Sequence, residues 1–209
     1  MDRKISSFLE MSGWLTCLHQ PPGTRCDGAG PGFYMNGAAT VGRADPLRPD
    51  DHVIGPDSAP VTVIAYCDFE CPYCGRSFAT LKDLRTRLKR QMRFVFRHFP
   101  LIDKHPLAQQ AAEAAEAAAS QGQFWTMHDL LFEHQDALEI DDLYRYADTA
   151  RLDLSRFKED LDGRMHASRV MHDVVSGRRS GVTGTPTFFL NGALVPDDER
   201  LEDLVRQVV

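Results

Sequence analysis

Residues 61–74, Val61-Thr62-Val63-Ile64-Ala65-Tyr66-Cys67-Asp68-Phe69-Glu70-Cys71-Pro72-Tyr73-Cys74, join two different patterns. Up to Tyr66 the run is short, rich in β-branched residues and almost unbroken in apolar character, which predicts a buried strand. Beyond Arg76, Phe78, Leu81, Leu84, Leu88 and Met92 recur at helical spacing with Lys and Arg between them. That predicts an amphipathic helix. Cys71-Pro72-Tyr73-Cys74 therefore falls where a strand hands over to a helix N-terminus, and Pro72 suits the first turn. A thiolate there gains from unpaired backbone N–H groups and from the positive end of the helix dipole, so its pKa is expected to fall. Cys71 is placed to be that thiolate, and Cys74, one turn on, to close a disulfide with it. The pattern points to thiol–disulfide exchange.

Composition narrows the field. The 209 residues are 43% hydrophobic and 26% charged, with a formal charge of −6. This is the balance of a globular protein, and the negative sign argues against affinity for nucleic acid or an anionic membrane. No apolar run approaches the ~20 residues of a membrane helix. Residues Met1–Glu10 contain no apolar h-region and no small-residue cleavage site, so a cytoplasmic location is expected. Five cysteines are too few for a disulfide scaffold, and in a reducing compartment a C-x-x-C is catalytic or metal-binding.

Residues 1–50 hold many of the glycines and prolines, as in Pro21-Pro22-Gly23 and Gly28-Ala29-Gly30-Pro31-Gly32, without sustained periodicity. They read as a poorly ordered extension with one short helix near Ser6–Leu18. Cys17 and Cys26 flank His19 there, but a tetrahedral zinc site needs a fourth ligand, so they read as incidental. The ordered domain is expected over 51–209. After the first strand and helix, Met92-Arg93-Phe94-Val95-Phe96-Arg97 alternates as a second strand. From His105 to about Arg179 nothing reads as strand. An Ala- and Glu-rich helix runs from Leu107 to Ser120, and Phe124, Met127, Leu131 and His134 form an amphipathic stripe. Asp141 is expected to cap Leu143–Ala150 and Ser155 a segment to Leu161, with one more helix over 165–175. Strands return at Pro186-Thr187-Phe188-Phe189-Leu190 and Ala193-Leu194-Val195 around the hairpin signal Asn191-Gly192. A last helix carries Leu201, Leu204 and Val208. The predicted order is β-α-β, a helical insertion over about 105–179, then β-β-α.

That order, with Cys71-Pro72-Tyr73-Cys74 after the first strong strand and Gly184-Thr185-Pro186-Thr187 opening the third, resembles the thioredoxin superfamily. Gly184–Phe189, Phe69–Cys74 and Arg97-His98-Phe99-Pro100, together with the helical insertion, resemble its DsbA-like branch, whose members include soluble domains fused to antiporters. The resemblance covers about 51–209. It implies an α/β thioredoxin fold and a protein disulfide oxidoreductase with catalytic Cys71 and Cys74. It also implies a cis Thr185–Pro186 bond packed against the cysteines, and substrate pairing along the Thr185 backbone. Pro72 and Tyr73 support the site. The expected partners are protein thiols and disulfides, glutathione, or a redox partner protein, with no cofactor.

Two positions depart from that branch. Many relatives carry an acidic residue six positions before the first cysteine, where this chain has Ala65; Cys74 then needs another proton acceptor, water, Asp68 or Glu70. Cys67 stands where a small polar residue or glycine is usual. It reads as an inert core cysteine, with a third thiol in the relay as the alternative. Tyr73 offers at most a phenolic O–H to the thiolate where the strongest oxidants carry His. That places Cys71 below the free-cysteine pKa but above those oxidants. Two further readings compete. Cys-Pro-Tyr-Cys is also similar to the glutaredoxin motif, which implies a glutathione-dependent reductase. Cys67, Cys71 and Cys74 also match the cluster-binding spacing of radical-SAM enzymes, but Pro72 and the all-helical stretch argue against an iron–sulfur protein. Among His98, His105, His128, His134, His166 and His172 no pair has the spacing of a helical metal site, so no metal is assigned.

Overall fold

A computed structural model of the chain describes residues 42–196 and 201–208. The readings on Cys17, Cys26, His19 and the helix near Ser6–Leu18 lie outside them. Five strands form one mixed sheet: β1 (His52–Ile54), β2 (Val61–Cys67), β3 (Met92–His98), β4 (Thr187–Leu190) and β5 (Ala193–Leu194). Their order is β1-β3-β2-β4-β5. β2 and β3 run parallel, from Val61 opposite Met92 to Cys67 opposite His98, and β4 lies antiparallel on the other side of β2. The central strand is thus β2, and it ends at Cys67. Asn191 and Gly192 both have positive φ (48° and 83°), the geometry of a two-residue hairpin with right-handed strand twist.

β2 reads as an unbroken apolar run because both of its faces are covered. Val61, Val63, Ala65 and Cys67 point into the larger core and Ile64 and Tyr66 into the smaller one, the period of two that a strand imposes. Helix α1 (Pro72–Arg87) lies on the larger side, burying Cys74, Phe78, Leu81 and Leu84. Between β3 and β4 come α2 (Ala108–Ala119), α3 (Phe124–Glu133), α4 (Ile140–Thr149), α5 (Leu154–Asp162) and α6 (Ala167–Arg179). Helix α7 (Leu201–Val208) follows the last strand and buries Leu201 and Val205. Two expected caps shift by a few residues. Glu139 and Asp142 form a capping box on α4 in place of Asp141, and Asp153, not Ser155, caps α5. In each case the residue adopting extended backbone just ahead of the helix takes the role.

The folded body begins before the expected boundary at 51. Ala44 N–H donates to the Gly192 carbonyl at 3.0 Å and Leu194 N–H to the Gly42 carbonyl at 3.0 Å. Asp45 N–H donates to Ser180 Oγ at 2.9 Å. The anchor is Arg97, whose side chain is completely buried. Its Nε and Nη2 bond the two oxygens of Asp51 at 2.8 and 2.7 Å, and Nη1 and Nη2 reach the carbonyls of Asp45 and Pro46. Nη1 also donates to Tyr66 Oη at 2.8 Å. A buried guanidinium needs this full set of acceptors, and residues 45–51 supply most of it.

Candidate active site

Cys71 is the N-cap of α1 in extended backbone, with Pro72 at the first helical position. The Gly75 N–H donates to the Cys71 carbonyl at 3.1 Å, so the helix starts at the cysteine pair. Cys67, Cys71 and Cys74 are all buried thiols. The Cys71 S–H donates to the Thr185 carbonyl at 3.3 Å, and the Thr185–Pro186 peptide is cis. β4 runs antiparallel to β2, with Thr187 opposite Tyr66. That register carries Thr185 and Pro186 past the end of β2, beside the start of α1. Thr185 Oγ1 is buried without a hydrogen-bond partner. Beyond Pro186 an open groove of about 320 Å³ is lined by Thr183, Thr187, Phe188, Leu194 and Pro196.

The loop before Cys71 is held from three directions. Asp68, 2% exposed, accepts from the N–H groups of Glu70 and Leu101, each at 2.8 Å, and contacts His105 Nδ1 at 2.7 Å. Glu70 accepts from the Leu107 N–H at 2.7 Å. Gln135 Nε2 donates to the carbonyls of Phe69 and Cys71 at 2.7 and 2.9 Å. Asp68 and Glu70, expected as proton acceptors for Cys74, thus have carboxylates engaged in fixing the loop. Asp68 does meet the buried cysteine, but through its backbone N–H, which donates to Cys74 Sγ at 3.5 Å. Gln135 and His105 carry no signal in the sequence, since each acts through a backbone or carboxylate contact tens of residues away.

Opposing influences act on the sulfurs. The neighbouring Cys74 thiol, then burial, push the Cys71 thiol up, while the Thr185 side chain and the Cys74 N–H in the first helical turn pull it down. In the reduced pair the upward influences prevail, which corrects the depression expected from the helix start alone. Burial, then the Cys67 thiol, push Cys74 well above the ordinary range. Tyr73 does not lie over the Cys71 sulfur as expected. Its ring is 60% exposed, with the Arg76 guanidinium 4.2 Å from its centre.

One set of metal-type ligands among the described residues converges within 4.8 Å: His52, His98 and Glu116. Helical spacing could not reveal it, because the two histidines sit on neighbouring antiparallel strands. Glu116 Oε1 lies 2.8 and 2.9 Å from the two Nε2 atoms. Burial pushes this carboxyl up, but the two imidazoles outweigh it and hold it well below the usual carboxylate range.

A thioredoxin family model matches residues 47–208. The chain therefore belongs to the thioredoxin family, and its fold is that of the DsbA-like thiol–disulfide oxidoreductases. BdbD from Bacillus subtilis, in its oxidised form, superposes with a TM-score of 0.71 at 23% identity, over 82% of this chain and 98% of that one. A thioredoxin-like oxidoreductase from Silicibacter pomeroyi gives 0.67 at 28% identity, over 77% and 92%. In sequence, the chain is 56% identical over 148 residues to the Na(+)/H(+) antiporter NhaA 3 of Salinispora tropica, covering 70% of this chain. It is 43% identical over 148 residues, again 70% of this chain, to the antiporter NhaA of Herminiimonas arsenicoxydans. The chain spans about a fifth of the length of these antiporters, 22% and 23%. No helix among the described residues is long and apolar enough to cross a membrane.

Proposed function

We propose that this chain exchanges disulfides with protein thiols through Cys71 and Cys74, with Cys71 as nucleophile and Cys74 as resolving thiol. The observation that carries the reading is the Cys71 S–H donating to the Thr185 carbonyl beside the cis proline, with Cys74 one turn behind it. Cys71 Sγ meets the carbonyl of Thr185, next to Pro186 at the edge of the open groove, whereas Cys74 lines the small cavity in the core. In the reductive half-reaction, Cys71 thiolate attacks one sulfur of a substrate disulfide, forms a mixed disulfide and releases the other sulfur as thiolate. Cys74 thiolate then attacks Cys71 Sγ, closes the intramolecular disulfide and releases the substrate's second thiolate, which takes up a proton. Run backwards, the same steps oxidise a substrate dithiol. An extended substrate fits the groove beyond Pro186, with the Thr185 backbone as its pairing edge.

The test is trapping. Reduced Cys74→Ser, mixed with a disulfide substrate such as insulin, accumulates a mixed disulfide, and Cys71→Ser does not. Equal trapping by the two variants would remove the assignment. Equilibration of the wild-type pair with reduced and oxidised glutathione then gives the potential, which decides the direction of flow.

A further inference from the structure

We infer that Cys67 is a third redox cysteine that competes with Cys71 for Cys74; this rests on the oxidoreductase reading above. Strand periodicity turns Cys67 to the same side of the sheet as Ala65 and Val63, into the core that contains Cys71 and Cys74. Cys74 lines one small cavity together with Cys67 and lies one helical turn from Cys71 at the start of α1. The three sulfurs do not all lie within 4.8 Å of one another, and Cys71, turned to the Thr185 carbonyl, does not line the cavity that Cys67 and Cys74 share. Cys74 is the thiol that the two neighbourhoods share, which sets it between Cys67 and Cys71. Thiol–disulfide exchange demands that order, because the attacked sulfur stands between the incoming and the leaving one. Cys67 and Cys74 also share a cavity of about 10 Å³ with Phe78, Phe96, Phe132 and His128, room for about one water, which gives the two side chains space to turn. Burial pulls the His128 imidazolium down to about 4, so the cavity wall presents a neutral ring at pH 7.

The step needs no outside reagent. In the oxidised chain Cys67 thiolate attacks Cys74 Sγ, the Cys67–Cys74 bond forms, the Cys71–Cys74 bond breaks and Cys71 leaves as thiolate. The proton lost from Cys67 is regained at Cys71, and the count of disulfides stays at one. The consequence is a form of the oxidised protein that keeps its outer nucleophile reduced. In that form Cys71 still accepts a mixed disulfide, but Cys74 cannot resolve it, and release requires a second external thiol.

The experiment uses the full chain with Cys17→Ser and Cys26→Ser, so that three thiols remain. Oxidised with glutathione disulfide, quenched in acid, alkylated and mapped by mass spectrometry, it yields two populations, one alkylated at Cys67 and one at Cys71. With Cys71→Ser added, diamide removes both remaining alkylatable thiols by linking Cys67 to Cys74; with Cys67→Ser added as well, Cys74 stays alkylatable. Before oxidation, the Cys71→Ser chain alkylates at these buried thiols only on denaturation, which shows that it is folded. If wild type closes its Cys71–Cys74 disulfide while Cys71→Ser keeps both thiols free, the role of Cys67 is overturned and the oxidoreductase reading stands. If the wild-type chain closes no Cys71–Cys74 disulfide, that reading itself falls, and this inference with it.

Discussion

Cys71 has as its largest upward influence a single neighbour, the Cys74 thiol. A group that raises a thiol pKa lowers the thiolate fraction at every pH below that pKa, so reactivity climbs as the pH rises. Removing the neighbour should reverse this. Cys74→Ala is expected to speed iodoacetamide alkylation of Cys71 at pH 8, about threefold to fourfold for each unit by which the pKa drops, because a tenfold larger thiolate fraction is partly offset by a weaker nucleophile. Stopped samples across pH 6 to 10, analysed by mass, measure it; an unchanged profile would leave burial as the dominant cause. Glu116 makes the opposite kind of test. Its folded pKa lies below the ordinary value of 4.5, so its contribution to stability is present above about pH 4.5 and is lost as pH falls toward the folded value. Melting temperatures of the wild type should therefore drop on going from pH 6 to pH 3, and Glu116→Gln should be less stable at pH 6 and show a shallower drop.

Helix α1 depends on a contact that its own sequence does not announce. A methyl group on Gly75 would sit 1.8 Å from Gln135 Oε1, so Gly75 is what lets Gln135 reach the Phe69 and Cys71 carbonyls. Gly75→Ala is expected to expel that side chain, cost about 1–3 kcal/mol as overpacking does, and slow insulin reduction through a loosened loop. Gln135→Ala should reproduce the slowing with a smaller loss of stability. Equal rates in all three proteins would show that the loop holds without the clamp. The contrast with Cys71, Cys74 and Pro186 explains what was legible beforehand. Their chemistry lies in short contiguous motifs with fixed positions relative to strand and helix starts, whereas Gln135 works on backbone carbonyls 64 and 66 residues away, and carbonyls have no sequence signature. Cys67 is buried in the core as its place in the strand predicts, but periodicity gives its face and not its neighbour. Tyr73 was expected at the sulfur from its position in the motif, yet its ring packs under Arg76, a partner one turn further along the helix.

For the whole molecule, the docking of residues 42–50 onto the domain matters most. Gly- and Pro-rich composition runs through residues 1–50, so nothing in it marks 42–50 as part of the folded body. The mark is Arg97, a buried cation whose acceptors are Asp51 and the carbonyls of Asp45 and Pro46. A chain beginning at Ala39, where the larger compact unit begins, is the reference. One beginning at Asp51 leaves Arg97 short of two carbonyl acceptors and should lose about 2–5 kcal/mol, on the scale of unpaired buried polar groups. Urea titration of the fragments decides it, and equal midpoints would show that residues 42–50 are dispensable.

Helix α2 has six buried alanines between Ala111 and Ala118 and packs against α3, α4, α5 and α6. With no side chain longer than a methyl at those positions, neighbouring backbones approach closely, and any enlargement has nowhere to go. The protein's freedom to drift is therefore rationed in an unexpected place. A saturation scan scored on cellular abundance should be nearly as intolerant along 111–118 as in the central strand. The exposed ring of Tyr73, inside the motif itself, should accept most replacements without loss of protein. Adaptation to new substrates is open at the rim of the cysteine pair and closed at a helix that has no part in the chemistry.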